Sequence, residues 1–230
     1  MEVWPAERAA DITVHFYSGP RYRIGDIYVE QTFLDPEIVS GYLDIESGSY
    51  FDSNIVARAY RNLADSAYFG HIEVTPDIEN AAEGQIPIRI AVSPGNRIEY
   101  TLGVGASTDT GLRFRAGFRN NRLNQKGHRL IADLGVSRVV QGTTVEYRIP
   151  LADPRREWFS FTGALSNEET DSFDNEAQRL GVRWTKAMSD TWLRTLALDF
   201  SNESFNVGSD IDTSRTLVPS VSFRSEEHTS

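Results

Sequence analysis

From Ile98 the chain alternates with period two. Ile98, Tyr100, Leu102, Val104 and Ala106 are apolar or small, and Glu99, Thr101, Gly103, Gly105 and Ser107 lie between them. After Asp109-Thr110-Gly111 the alternation resumes, with Leu112, Phe114, Ala116 and Phe118 set against Arg113, Arg115, Gly117 and Arg119. Period two is the side-chain repeat of a strand, so this pattern predicts two long strands joined by a tight turn, with one oily and one charged face. Segments 127–137, 143–150, 157–165, 178–187, 192–201 and 215–223 repeat it. One face of each is apolar, as in Leu130, Ala132, Leu134 and Val136, or Leu196, Leu198 and Phe200. The other carries Arg129, Asp133, Glu146, Arg148, Arg179, Arg183 and Asp199. A dry sandwich core does not accept charges in that position, whereas a wall with lipid on one side and water on the other does. Strands of ~8–11 residues are the length a tilted strand needs to cross a bilayer.

The connections at one end are 107–110, 139–142, 167–175 and 202–212, the last two long and acidic; those at the other end are 120–126, 151–156 and 188–191. Such alternation of loop length is a barrel feature, with the long loops on the side away from the chain's entry. Trp158, Trp184 and Trp192 stand near strand ends by the short turns, where an aromatic girdle is expected.

Upstream the pattern changes. Residues 11–17 alternate as a strand, and 21–31 form another, with Ile27 and Val29 opposite Tyr28 and Glu30. Asp35-Pro36-Glu37 is a helix start, with a capping carboxylate and proline at the first helical position; the helix ends near Asp44. Gly48 breaks the chain, and Asp52 caps a second helix whose Ile55, Val56, Ala59, Tyr60 and Leu63 share a stripe. Strands 71–76 and 85–92 follow, the second aligning Ile86, Ile88, Ile90 and Val92. The order is β-α-α-β-β.

Composition removes several function classes. A net charge of -10 excludes a basic nucleic-acid footprint, and the absence of cysteine excludes disulfides and thiolate metal sites. No apolar run reaches 18 residues, which rules out a helical span but not strands. The N-terminus has no signal-peptide pattern. His15, His71, His128 and His228 are too far apart for ligand spacing, and Gly103-x-Gly105 is not followed by the helix a phosphate loop needs. No nucleophile–base constellation or paired carboxylates are present, so no catalytic, cofactor or metal site is predicted. The cluster Glu168, Glu169, Asp171, Asp174 and Glu176 reads as a solvated loop.

The β-α-α-β-β unit, with its Arg21-Tyr22-Arg23-Ile24-Gly25-Asp26 entry and Tyr68-Phe69 before the second strand, resembles a POTRA domain. Feeding directly into a barrel, it makes the chain resemble the outer-membrane insertase superfamily that includes BamA and TamA. The TamA branch is the nearer. Its pattern is carried by Ser18-Gly19-Pro20-Arg21-Tyr22, by Gly103-Val104-Gly105 through Asp109-Thr110-Gly111, by Asn124 with Gly127-His128, and by Tyr147-Arg148-Ile149-Pro150 with Asp153-Pro154. These motifs cover most of residues 11–165.

The resemblance implies an α+β POTRA domain (β-α-α-β-β) followed by an antiparallel transmembrane β-barrel, of which about the first half is present. Residues 1–18 are then the last strand of a preceding POTRA domain, 19–95 a POTRA domain in the periplasm, and 96–223 the N-terminal half of a bacterial outer-membrane barrel. Residues 224–230 (RSEEHTS) resemble a translated sequencing adapter and are read as an artefact. The implied function is assembly or secretion of autotransporter-like β-barrel clients, without enzymatic activity or cofactor. Partners would be outer-membrane lipid, a TamB-like inner-membrane-anchored protein, and unfolded outer-membrane or autotransporter clients. The lateral gate is assigned to the backbone edge of Ile98, Glu99, Tyr100, Thr101, Leu102, Gly103, Val104, Gly105, Ala106 and Ser107. Alternatives are a BamA-like general insertase, and the barrel portion of a protein with an upstream patatin-like lipase; a passive pore would need no small domain.

Overall fold

The computed structural model describes residues 2–4, 9–11, 13–15, 21–108, 111–170, 173–189, 191–207 and 210–225. Strands β1 (Glu2–Trp4) and β2 (Ala9–Asp11) pair antiparallel, Glu2 facing Asp11. Of the strand expected over 11–17, only residues 11 and 13–15 are described. Local pairing ends at Asp11, and Thr13, Val14 and His15 lie in no strand. Ile12, Phe16 and Tyr17 fall outside the described residues, as do Ser18, Gly19, Pro20 and Asp109-Thr110 of the quoted motifs.

The small domain comprises β3 (Arg23–Glu30), α1 (Pro36–Leu43), α2 (Ser53–Ala64), β4 (Phe69–Pro76) and β5 (Gln85–Pro94). Its sheet runs β3-β5-β4, with β5 parallel to β3 and antiparallel to β4. Ile24, Val39, Leu63, Ile88 and Ile90 are fully buried in one core drawn from both helices and the sheet. Ile24 and Ile27 are three apart and on an ideal strand would point to opposite faces. A register shift between them against β5 turns both toward the core.

The helix starts differ from each other. Asp52 caps α2 as expected, its Oδ1 accepting from the Asn54 N–H at 2.9 Å, and that bond holds its carboxyl below the usual range. Asp35 makes no side-chain cap, although Pro36 opens α1. Gln31 orders the approach instead: its Oε1 accepts from Phe33 N and Leu34 N, each at 2.9 Å, and Asp35 N donates to Gln125 O at 2.9 Å. The Asp35 backbone is thereby committed to the junction with the following sheet. Tyr60, expected on the buried stripe of α2, is exposed, and Ala59 and Leu63 carry the packing.

Eight strands then form one antiparallel sheet in sequence order: β6 (Ile98–Ser107), β7 (Gly111–Asn120), β8 (Arg129–Ser137), β9 (Val140–Pro150), β10 (Glu157–Glu169), β11 (Asp174–Ala187), β12 (Trp192–Val207) and β13 (Asp210–Ser225). The long acidic loops expected at 167–175 and 202–212 are mostly strand. β10 pairs with β11 out to Glu169–Asp174, and β12 with β13 out to Val207–Asp210. Most of these residues are polar whichever face they take, Phe173, Phe205, Val207 and Ile211 excepted, so the alternation fades where both faces meet water while the hydrogen-bonded ladder continues. The loop expected at 139–142 shrinks likewise, since β9 starts at Val140. At the end of β13, Arg224 and Ser225 pair with Leu193 and Trp192, so those two residues continue the strand; residues 226–230 lie outside the described residues.

Candidate functional site

The sheet has two chemically distinct faces, and register makes each continuous. One row of partners crosses all eight strands as Tyr100, Phe118, Ala132, Val145, Gly163, Leu180, Phe200 and Leu217. This outer face is apolar and uncovered: Tyr100 is 74%, Leu102 84% and Val104 75% exposed. An uncovered apolar sheet of this extent needs an apolar solvent. The adjacent row on the inner face reads Thr101, Gly117, Asp133, Thr144, Ala164, Arg179, Ser201 and Thr216. Inner polar groups pair laterally, Arg183 with Asp199 at 2.7 Å and Arg179 with Glu203 at 2.6 Å. Glycine makes room for one of them, because a Cβ on Gly181 would stand 2.5 Å from Asp199 Oδ1.

The predicted gate residues all lie on β6, which forms one edge of the sheet and pairs with β7 alone among the described strands. Ile98, Tyr100, Leu102, Val104 and Ala106 face outward; Glu99, Thr101, Gly103, Gly105 and Ser107 face inward. Side chains anchor its two ends. Asn121 Nδ2 donates to Glu99 Oε1 at 2.6 Å, and Arg113 donates to Ser107 Oγ at 3.2 Å. Between those anchors the glycines relieve no crowding in this chain. A Cβ on Gly105 meets nothing within 4 Å, and one on Gly103 meets only Arg115 Cβ at 3.8 Å. What they supply is weak strand propensity at the centre of an edge.

Sequence reading missed the junction between the small domain and this sheet. Tyr68, 2% exposed, donates to Gly127 O at 2.5 Å and accepts from Arg129 Nε at 3.1 Å. Arg129 also donates to Ser66 O and lies over the Tyr68 ring, 4.3 Å from its centroid. Gly127 has φ +70, and a Cβ there would sit 3.0 Å from Tyr68 Oη. Beside it Arg122 covers the Phe33 ring at 4.4 Å, with its pKa lowered by burial and by Arg97; Gly41 of α1 admits Pro154 so closely that any Cβ would collide with it. The lead-in to β6 is therefore clamped on both sides. Gly95 N bonds Tyr68 O at 2.8 Å, and Asn121 N bonds Arg97 O at 2.8 Å.

Arg129→Ala removes a charge-assisted bond and leaves the Tyr68 and Ser66 oxygens short of a donor, a loss of about 2 kcal/mol. Hydrogen-exchange protection at 66–70 and 121–128 is expected to fall roughly 30-fold in that variant, with the small-domain core unaffected. Unchanged protection would show that the contact holds nothing.

Trp158 corrects the girdle reading. It lies on the inner face, with Arg148 5.3 Å from its ring centroid, while Trp184 and Trp192 keep the outward parity of Leu180 and Leu196. Trp184 stacks on Phe159 at 6.1 Å and donates to Glu157 at 2.9 Å.

With this geometry established, likeness to solved structures is informative. BamA from Haemophilus ducreyi lacking POTRA domains 1–3 superposes with a TM-score of 0.71 at 13% identity, over 90% of this chain and 44% of that one. Over that shared part the chain has the fold of the BamA structure. CdiB from Acinetobacter baumannii superposes with a TM-score of 0.61 at 11% identity, over 90% of this chain and 43% of that one. The chain thus spans less than half the length of either structure, and no protein-family profile matches it. In the BamA-type arrangement seen here the sheet is a wall left open, with β6 and β13 at its two edges.

Proposed function

We propose that the chain belongs to an outer-membrane protein of the BamA and TamA superfamily, TamA-like in its motifs, that assembles or secretes autotransporter-like β-barrel clients. On this reading residues 19–95 are a periplasmic POTRA domain, the outer face of β6–β13 lies in lipid, and a TamB-like protein is the inner-membrane partner. The edge of β6 is the gate to which a client strand adds by backbone pairing. One observation carries the reading: a β-α-α-β-β domain leads directly into an edge strand of an apolar-faced antiparallel sheet with the fold of the BamA barrel.

A photoreactive residue in place of Thr101, in the intact protein in its native membrane, is expected to capture unfolded client during assembly. The same substitution at Ser201, in mid-sheet, is expected to capture none. Equal capture at both positions would remove the gate from β6.

A further inference from the structure

The first residues of β6 are held from outside the strand ladder. Asn121, which follows β7 and is 2% exposed, donates through its backbone N–H to Arg97 O at 2.8 Å. Its Nδ2 donates to Asn96 O at 3.2 Å and to Glu99 Oε1 at 2.6 Å. Both partners are acceptors, which leaves the amide one orientation. The turn that carries Asn121 is itself fixed. Asn120 Oδ1 accepts from Arg122 N at 3.1 Å, Leu123 N donates to His128 O at 2.7 Å, and Gly127 O accepts from Tyr68. Arg97 adds bonds to Arg122 O and Leu123 O at 3.1 and 3.3 Å, but from a long, exposed side chain that can follow a shifted backbone. At the other end of β6, Arg113 reaches Ser107, again through a long side chain.

The strand needs such a latch because its own pattern does not choose a register. Slipping β6 by one residue along β7 would turn its apolar side chains inward. A slip of two residues, about 7 Å, carries no such penalty. Ile98, Tyr100, Leu102, Val104 and Ala106 would still lie beside Leu112, Phe114, Ala116 and Phe118, and Gly103 and Gly105 would bring no side chain into conflict on the inner face. The hairpin loop between Ser107 and Gly111 would lengthen by two residues, to a length that hairpins commonly use. Register in a glycine-rich strand is weakly specified by the strand itself, so it falls to whatever pins the ends. The Asn121 bonds are what a two-residue slip cannot keep, since Asn96, Arg97 and Glu99 would all move past a short, buried side chain.

We propose that Asn121 is the positioning residue of β6: it fixes the register of that strand against β7, and hence the height at which its free edge meets an incoming strand. The second half rests on the client-assembly reading; the first does not.

Cysteine pairs read the register in the intact protein, in its native membrane, under an added oxidant. The facing pair Thr101→Cys with Gly117→Cys is expected to close, since a Cβ at 117 stands 3.4 Å from Thr101 Cβ. The offset pairs, Gly103→Cys with Gly117→Cys and Thr101→Cys with Arg115→Cys, lie on diagonals of about 7–8 Å and should stay largely open. Adding Asn121→Ala is expected to raise the ratio of offset to facing closure roughly tenfold, the two lost hydrogen bonds setting the scale. Asn121→Asp, which sets a carboxylate against Glu99, should raise it at least as much. Asn121→Asp with Glu99→Gln exchanges donor and acceptor and should bring the ratio back toward that of the wild type. Arg183→Gln, which removes an ion pair in mid-sheet, should leave it unchanged.

An unchanged ratio in Asn121→Ala and Asn121→Asp overturns the proposal. So does an equal rise in Arg183→Gln, which would make the slip a general loosening, or a failure of the exchanged pair to restore the register. In the slipped variants the client residue captured by a photoreactive group at Thr101 is expected to shift by two positions along the client. Capture at an unchanged position overturns the link from register to client. No capture from Thr101 in any variant, with the register slipping as expected, sinks the client-assembly reading alone.

Discussion

A disulfide joining β6 to the terminal strand of the closed barrel is expected to abolish client assembly in the intact protein, and reduction to restore it. The mechanism on trial is strand addition, which needs the backbone groups of β6 to leave their seam partner and accept another strand. β6 suits that exchange. It pairs on one side with β7, its outward residues make few contacts, and Gly103 and Gly105 weaken its centre. Cysteine at position 105 is the natural anchor, because a Cβ there meets nothing within 4 Å. Adjacent strands bring facing Cα atoms to about 4.5–5.5 Å, inside the range a disulfide spans. The chain has no cysteine of its own, so the engineered pair has no internal competitor here. Heat-modifiable mobility reports that the locked barrel is still folded. If assembly proceeds at the wild-type rate with the seam locked, β6 is not the gate, and client engagement moves to the small domain.

The sheet was legible because its physics is local. Period-two alternation marks each strand, and one face is apolar at every mid-strand position from Tyr100 to Leu217. Trp158 was legible too: it has the parity of Ser160, opposite to Phe159 and Phe161, and position near a strand end was the weaker signal. The extended hairpins were not, since Glu168, Glu169, Glu203 and Asn206 lie beyond the apolar band, where nothing forces the two faces to differ. Nor was the bulge between Ile24 and Ile27, which depends on what β5 presents opposite.

The junction was the least readable element. Tyr68 and Arg129 are 61 residues apart, and each has an ordinary local role, one ending a helix and one opening a strand. Of β6, sequence showed the strand and its glycines. It could not decide whether the glycines relieve crowding, a question of what stands opposite them; the open space at Gly105 answers it for this chain.

Residues 1–230 expressed alone are expected to aggregate, giving no heat-modifiable barrel in detergent, whereas residues 20–95 alone are expected to be soluble and folded. The contrast follows from where each part satisfies its backbone. The small domain's core residues, Ile24 through Val92, all come from within that segment, so its burial is complete without the sheet. What it loses are the junction contacts of Phe33, Asp35, Gly41, Asp44, Ser66 and Tyr68. The sheet is in the opposite position. β6 and β13 each present an unpaired edge, and in an apolar solvent every unsatisfied backbone group there costs several kcal/mol. Closing the eight strands on themselves would remove both edges, as eight-stranded barrels do, but two features oppose it. An eight-stranded interior is only wide enough for packed side chains, and this inner face carries Arg115, Arg119, Arg148, Arg179 and Arg183. The edges also mismatch in length: β13 has 16 residues and β6 has 10, so pairing them leaves 16 − 10 = 6 residues of β13 without partners. Intermolecular pairing of edges is then the available route, and it leads to aggregates. A compact monomer of 1–230 that shifts on heating and conducts ions would overturn this account of the sheet as an open wall. A random-coil far-ultraviolet spectrum for 20–95 would overturn the domain boundary.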